Sequence, residues 1–184
     1  MPEASPPPGG RQGRGAFGAA DLLSLARIPL AAAFVLYPEA HLRLGILAVA
    51  GITDLADGWL ARWRGGSRLG GLLDPVADKI FVAAAFFVVL MSGKLTWWET
   101  ALVLLRDILA TIAFLIAVAT RRPRAIPARA GGKAVTLLQL ATLLAFLLDS
   151  PNLKHLAWAA AAVGLYAIYD YARAIPTGTR PVGD

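Results

Sequence analysis

Apolar residues fall into six long runs along the 184-residue chain, at about Ala20–Tyr37, Leu42–Trp63, Leu72–Met91, Trp98–Thr120, Lys133–Leu148 and Leu153–Arg173. Several exceed the roughly 18 apolar residues that mark a transmembrane helix. The pattern predicts an all-α integral membrane protein, a single six-transmembrane-helix bundle over residues 16–175 with short connections except the fourth. Residues 1–15, MPEASPPPGGRQGRG, are rich in proline and glycine and offer almost nothing to bury, so they read as a disordered tail. Residues 176–184 read as a second, C-terminal tail. Asp21 and Arg27 interrupt the first apolar run and no cleavage pattern stands out, so no signal peptide is expected.

Composition agrees with a membrane setting, at 57% hydrophobic residues, and the absence of cysteine excludes disulfides and thiolate metal sites. The net charge of +6 gains meaning only from where the cations sit. Arg11, Arg14, Arg62, Arg64, Arg68, Arg121, Arg122, Arg124, Arg129, Lys133, Arg173 and Arg180 lie on one side of the predicted spans, and only Arg43, Lys94 and Lys154 on the other. By the positive-inside rule both termini are cytoplasmic. In such a chain basic residues report topology and lipid contact, and no nucleic-acid partner is expected. Trp97 and Trp98, beside Lys94, fit an aromatic belt at the opposite interface. No internal repeat is visible, which weighs against an inverted-repeat transporter.

Arg27, Lys79 and Arg106 remain within spans, and so does a group of acids. Asp54 and Asp57 stand three apart near the cytoplasmic end of the second run; Asp74 and Asp78 stand four apart at the start of the third. Each pair shares a helix face. The two helices are expected to be antiparallel neighbours joined by a short turn, so the four carboxylates converge just inside the cytoplasmic interface. Unpaired, they would repel one another and bear a desolvation penalty; divalent cations resolve both problems. An oxygen-only donor set favours Mg²⁺ or Mn²⁺ over zinc, and His41 and His155 fall near the far face. Gly58, Ala61 and Gly70 leave room for a ligand to approach the backbone, although small residues also serve helix packing. Pro75 suits a first helical turn, whose free N–H groups favour anions.

These residues resemble the signature of the CDP-alcohol phosphatidyltransferases, D-x2-D-G-x2-A-R followed by G-x3-D-x3-D, carried here by Asp54, Asp57, Gly58, Ala61, Arg62, Gly70, Asp74 and Asp78. The gap from Arg62 to Gly70 is one residue shorter than is usual in that family, a deletion that falls in a solvent-facing turn. The resemblance implies six transmembrane helices, a homodimer, and a reaction in which an alcohol hydroxyl attacks the lipid-bearing phosphorus of CDP-diacylglycerol and CMP leaves. It also implies roles. Asp54, Asp57 and Asp74 would bind two metal ions, with Asp78 completing the metal cluster and acting as general base, while Asp54, Gly58, Ala61, Arg62 and Gly70 would line the CDP site. A simple salt bridge to Lys79 is the alternative reading of Asp78.

For the acceptor, Arg106 is expected to face the pocket, because intramembrane charges usually face the bundle interior. A bridge to Asp107 is not expected, since adjacent residues do not share a helix face. Arg129 and Lys133 are further candidates: Gly132, Lys133, Thr136 and Gln139 form a G-K-x2-T-x2-Q pattern similar to that of phosphatidylglycerophosphate synthases, which use glycerol 3-phosphate. The Arg106–Asp107 pair and the ending YDYAR look more like cardiolipin synthases, which use phosphatidylglycerol. Glycerol 3-phosphate ranks first, phosphatidylglycerol second and an inositol phosphate third. Arg27 is left with Asp21 or the lipid headgroups as partner. An aspartate-rich prenyltransferase would resemble a longer chain with more spans, and a cation transporter would place its acids near the bilayer midplane rather than toward one face. The short loops and the bias toward Ala, Arg and Gly favour a bacterial inner membrane, with the active site facing the cytoplasm.

Overall fold

The computed structural model describes residues 19–64, 70–120 and 130–174, with side chains described for 22–56, 75–120, 132–170 and Arg173. Six helices follow one another: α1 (Ala19–Leu36), α2 (Ala40–Arg64), α3 (Gly70–Met91), α4 (Trp97–Ala119), α5 (Ala130–Leu147) and α6 (Leu153–Ala174). Among the described residues there is no strand. Each helix matches one apolar run of the sequence to within a turn at either end.

Local chemistry sets several of these ends. Thr96 caps α4, where its hydroxyl and the Glu99 side chain exchange hydrogen bonds with each other's backbone N–H in a reciprocal capping box. After α3 the chain turns through Gly93 at φ +72°, a left-handed conformation that costs least without a Cβ. After α5 it turns through Asp149 at φ +53°, an acid being among the few side chains tolerated there, and Ser150 N–H closes the end on Ala145 O at 2.8 Å.

The interior is built from small and aromatic residues. In α1, Ser24, Arg27, Ala31 and Phe34 recur every three or four positions and are all buried, forming one packed stripe. Against it α3 sets Phe81, Ala85 and Phe86, with the Phe34 and Phe81 rings edge to face at 5.9 Å. Many large aliphatic side chains point outward, among them Ile108, Ile112 and Ile116 in α4, Leu137 in α5 and Leu165 in α6. An exposed apolar surface of this extent calls for a nonpolar surrounding. Among the described residues only α4 is by itself long and apolar enough to cross a membrane; α1 and α5 contribute shorter apolar stretches, Leu22–Leu36 and Gly132–Leu147. Charge interrupts the rest, through Arg43 and Asp54 in α2, Asp78 and Lys79 in α3, and Lys154 and Asp170 in α6.

The packing order corrects one expectation. α1 packs against both α2 and α3, while α2 and α3 share no comparable contact among the described residues. The buried stripe of α1 explains this, because its small residues let it wedge between the two acid-bearing helices. α4 and α5 both pack on α6, and α3 with α4, α2 with α5 and α3 with α5 join the two halves of the bundle.

Candidate active site

The first and last acids of the D-x2-D…D-x3-D pattern reach the site from different helices. Asp54 projects from α2 and Asp78 from α3, and each has a cation beside it. Arg27 comes from α1: its Nη2 lies 2.9 Å from Asp54 Oδ1. The Arg27 side chain is only 3% exposed while that of Asp54 is 59% exposed, so a buried cation holds one oxygen of an open carboxylate. The position of α1 gives Arg27 a partner in Asp54; the side chain of Asp21, the other carboxylate considered for it, lies outside the described residues. An arginine inside an apolar helix was the available signal, but its partner depends on which helix packs between which.

A second polar group lies deeper. Asp107 of α4 is buried and gathers donors from three helices. Lys79 Nζ of α3 stands 2.6 Å from its Oδ1, and Arg106 Nη1 donates to the same oxygen at 2.9 Å. Gln139 Nε2 of α5 donates to Oδ2 at 2.5 Å and to Val103 O at 3.0 Å. Because both of those neighbours only accept, the orientation of the Gln139 amide is dictated. Gln139 Oε1 and Arg106 Nε are buried without a hydrogen-bond partner.

Lys79 keeps adjacent Asp78 within ion-pair distance, 3.8 Å from its Oδ2, and makes its shorter contact with Asp107. One expectation changes here. Arg106 does bridge Asp107 despite their adjacency, because its long, flexible stem wraps around the helix. The stem starts toward α6, where Gly164 lets the helices approach; a Cβ there would stand 3.6 Å from Arg106 Cβ, an ordinary contact.

Among the described residues, no three carboxylates or histidines gather into a group able to hold a metal ion. Positions 57 and 74 lie one helical turn from Asp54 and Asp78, and the side chains of Asp57, Gly58, Ala61, Arg62, Gly70 and Asp74 lie outside the described residues, as does Arg129. Lys133 is exposed on the first turn of α5, where Thr136 Oγ1 donates to Gly132 O at 3.2 Å. His41 and His155 are exposed near the starts of α2 and α6, and His41 is about 20 Å from Asp54 along the helix. What the site offers is therefore carboxylate oxygen with cations beside it, a donor chemistry suited to a hard divalent ion and a phosphate-bearing substrate.

Known proteins resemble this chain over much of its length. The chain is 35% identical over 148 residues to the "Probable phosphatidylglycerophosphate synthase" of Mycobacterium tuberculosis, covering 75% of this chain and 69% of that protein. It is 48% identical over 56 residues to the CDP-diacylglycerol--glycerol-3-phosphate 3-phosphatidyltransferase of Haemophilus influenzae, covering 30% of each. It is 35% identical over 98 residues to the cardiolipin synthase (CMP-forming) of Rattus norvegicus, covering 50% of this chain and 32% of that protein. Residues 17–168, which hold the whole acid pattern and the Asp107 group, match the family model for CDP-alcohol phosphatidyltransferases, and the chain belongs to that family.

Proposed function

We propose that this enzyme moves the phosphatidyl group of CDP-diacylglycerol to glycerol 3-phosphate and releases CMP. One observation carries the reading: Asp54, the first acid of the family signature, is held at 2.9 Å by a buried arginine of another helix, within the residues that match the family model. The family uses CDP-diacylglycerol and an alcohol acceptor, is membrane-bound and generally employs divalent metal ions. For the acceptor, the reading leans on the Mycobacterium tuberculosis and Haemophilus influenzae relatives, whose names specify phosphatidylglycerophosphate synthesis or glycerol 3-phosphate.

Asp54 and Asp78 suit such ions, since both are carboxylates with solvent access. Together with Asp57 and Asp74 they would hold a pair of Mg²⁺ or Mn²⁺ ions. When bound, such a pair neutralises the diphosphate and stabilises the attacking and leaving oxygens. The protein supplies the rest. Gly58, Ala61, Arg62 and Gly70 line the CDP moiety, and Arg62 adds positive charge at the diphosphate. Asp78 takes the proton of the acceptor hydroxyl as its oxygen bonds to the phosphorus that carries diacylglycerol; the bond from that phosphorus to CMP breaks, and CMP leaves with the electron pair. Lys133 and Arg129 attract the acceptor phosphate, while the Arg106 guanidinium is engaged by Asp107.

The six helices would all span a bacterial cytoplasmic membrane, with both termini and the acids on the cytoplasmic side and two copies forming a homodimer. The outward-facing apolar residues and the lopsided distribution of Lys and Arg support that orientation. A second reading, with phosphatidylglycerol as acceptor and cardiolipin as product, is favoured by the likeness to the rat cardiolipin synthase.

The test is CMP release from CDP-diacylglycerol by purified protein with Mg²⁺ or Mn²⁺, with glycerol 3-phosphate, phosphatidylglycerol and an inositol phosphate offered in parallel. Release that depends on glycerol 3-phosphate is expected, together with its loss in EDTA and its return on adding the ion. Dependence on phosphatidylglycerol would transfer the assignment to the second reading, and no release with any acceptor would overturn both. Asp78→Asn is expected to lower turnover by about 10²–10⁴-fold; full turnover in that variant removes Asp78 as the base.

A further inference from the structure

Lys79 stands between two carboxylates. Its Nζ is 2.6 Å from Asp107 Oδ1 and 3.8 Å from Asp78 Oδ2, so the cation next to Asp78 in sequence is committed to a residue on another helix. A lysine ammonium on its flexible four-carbon stem can serve either neighbour. A charge-assisted hydrogen bond needs about 2.8 Å between heavy atoms, so Lys79 has only about 1 Å to travel to engage Asp78 fully.

What keeps it from doing so is the way Asp107 is held. Gln139 fixes Oδ2 and is itself anchored on Val103 O, while Arg106 shares Oδ1 with Lys79. The Asp107 side chain is 5% exposed against 35% for Asp78, so the attraction between Lys79 and Asp107 is the less screened of the two. The arrangement has a further asymmetry: Asp107 has Arg106 as well, so it does not need Lys79 to be paired, whereas Lys79 without Asp107 has Asp78 as its nearest carboxylate in the described structure.

We propose that Asp107 is a positioning residue for phosphatidyl transfer: it draws the Lys79 ammonium away from Asp78, leaving the Asp78 carboxylate open to the acceptor hydroxyl. Gln139 acts one step further back by fixing Asp107. The inference rests on the reading of Asp78 as the proton acceptor and adds to it the residue that keeps Asp78 available. Nothing in the signature contains Asp107 or Gln139, which come from helices beyond it.

The experiment compares CMP release by full-length wild type, Asp78→Asn, Asp107→Asn, Lys79→Gln and the double variant Asp107→Asn with Lys79→Gln, each shown to elute as a single species in detergent. Asp107→Asn is expected to lower kcat at least tenfold with the acceptor KM within a factor of two, because Lys79 then closes on Asp78. Removing Lys79 as well is expected to restore kcat at least fivefold above Asp107→Asn, a gain that a scaffolding role for Asp107 does not produce. A double variant no faster than Asp107→Asn, or a loss confined to KM, overturns the proposal. If Asp107→Asn does not elute as a single species, Gln139→Leu with and without Lys79→Gln asks the same question, and no recovery there overturns the proposal equally. Full turnover in Asp78→Asn would instead remove the reading underneath, an outcome distinct from an inactive Asp78→Asn accompanied by no recovery in the double variant.

Discussion

Two lysine–aspartate pairs of nearly equal length occupy opposite settings in this bundle. Lys79 meets Asp107 at 2.6 Å with side chains 21% and 5% exposed, and Lys94 meets Asp149 at 2.5 Å with side chains 40% and 87% exposed. Distance does not separate them; surroundings do. The inner pair belongs to a group in which each member limits where the others can go, through Arg106 and Gln139. The outer pair joins the α3–α4 connection to the α5–α6 connection across open solvent, where water and salt compete for both partners. An ion pair inside the bundle therefore specifies an arrangement, whereas an ion pair on its rim mostly records where two loops happen to meet.

The strongest way to break that comparison is to remove the anion of the inner group. Asp107→Leu takes from Arg106, whose side chain is only 13% exposed, its carboxylate partner and leaves it beside an apolar side chain, and breaking a buried ion pair from one side costs about 3–5 kcal/mol. Unfolding of the detergent-solubilised protein with increasing SDS should show a loss of that size. A change below about 1 kcal/mol would mean that water reaches the group freely and that the contrast with the rim is false.

The sequence makes the helices legible and their neighbours much less so. Six apolar runs become α1 to α6 nearly residue for residue, because length and hydropathy are local properties. The acid pattern is also local: spacings of three and four put Asp54 with Asp57, and Asp74 with Asp78, on shared faces whatever surrounds them. The partners of the cations are not local. Arg27 finds Asp54 because α1 wedges between α2 and α3, and Lys79 finds Asp107 across 28 positions because α4 brings a buried carboxylate within reach. Assuming that consecutive helices pack directly predicted an α2–α3 face; the small residues at Ser24 and Ala31 make α1 the better neighbour for both. The rule that adjacent residues do not face one another failed for Arg106 and Asp107 for a different reason, since it describes where side chains start and an arginine ends far from its own Cβ.

A smaller effect sharpens the picture of the rim. Thr96→Ala removes the hydroxyl half of the capping box at the start of α4, because the Thr96 hydroxyl accepts from Glu99 N–H and also donates to Glu99 Oε2 at 2.7 Å, while the backbone N–H of residue 96 still reaches Glu99 Oε2. The expected loss is about 1 kcal/mol, measured by the same SDS titration. It falls below the Asp107→Leu effect because α4 remains anchored by its packing on α6 and α3.

The smallest effect belongs to the outer pair, and its pH dependence has a definite sign. The Lys94 ammonium, through its hydrogen bond to Asp149 and then its charge, holds the Asp149 carboxyl below the usual carboxylate range. A group whose folded-state pKa is depressed adds stability that is present above its unfolded value and disappears as pH falls through the folded value. The contribution should therefore be complete at neutral pH and fade only in acid, below about 3.9. Asp149 is fully exposed, so solvent screening keeps the effect slight, and added salt should reduce it further. Asp149→Asn isolates this term, because asparagine also tolerates the left-handed backbone at that position and leaves the turn intact. The variant should match wild type at pH 7 in high salt, and the two should differ slightly in low salt, the difference shrinking as pH drops. A difference as large as that for Asp107→Leu, or one that grows in acid, would show that the rim pair specifies structure in the way the inner group does.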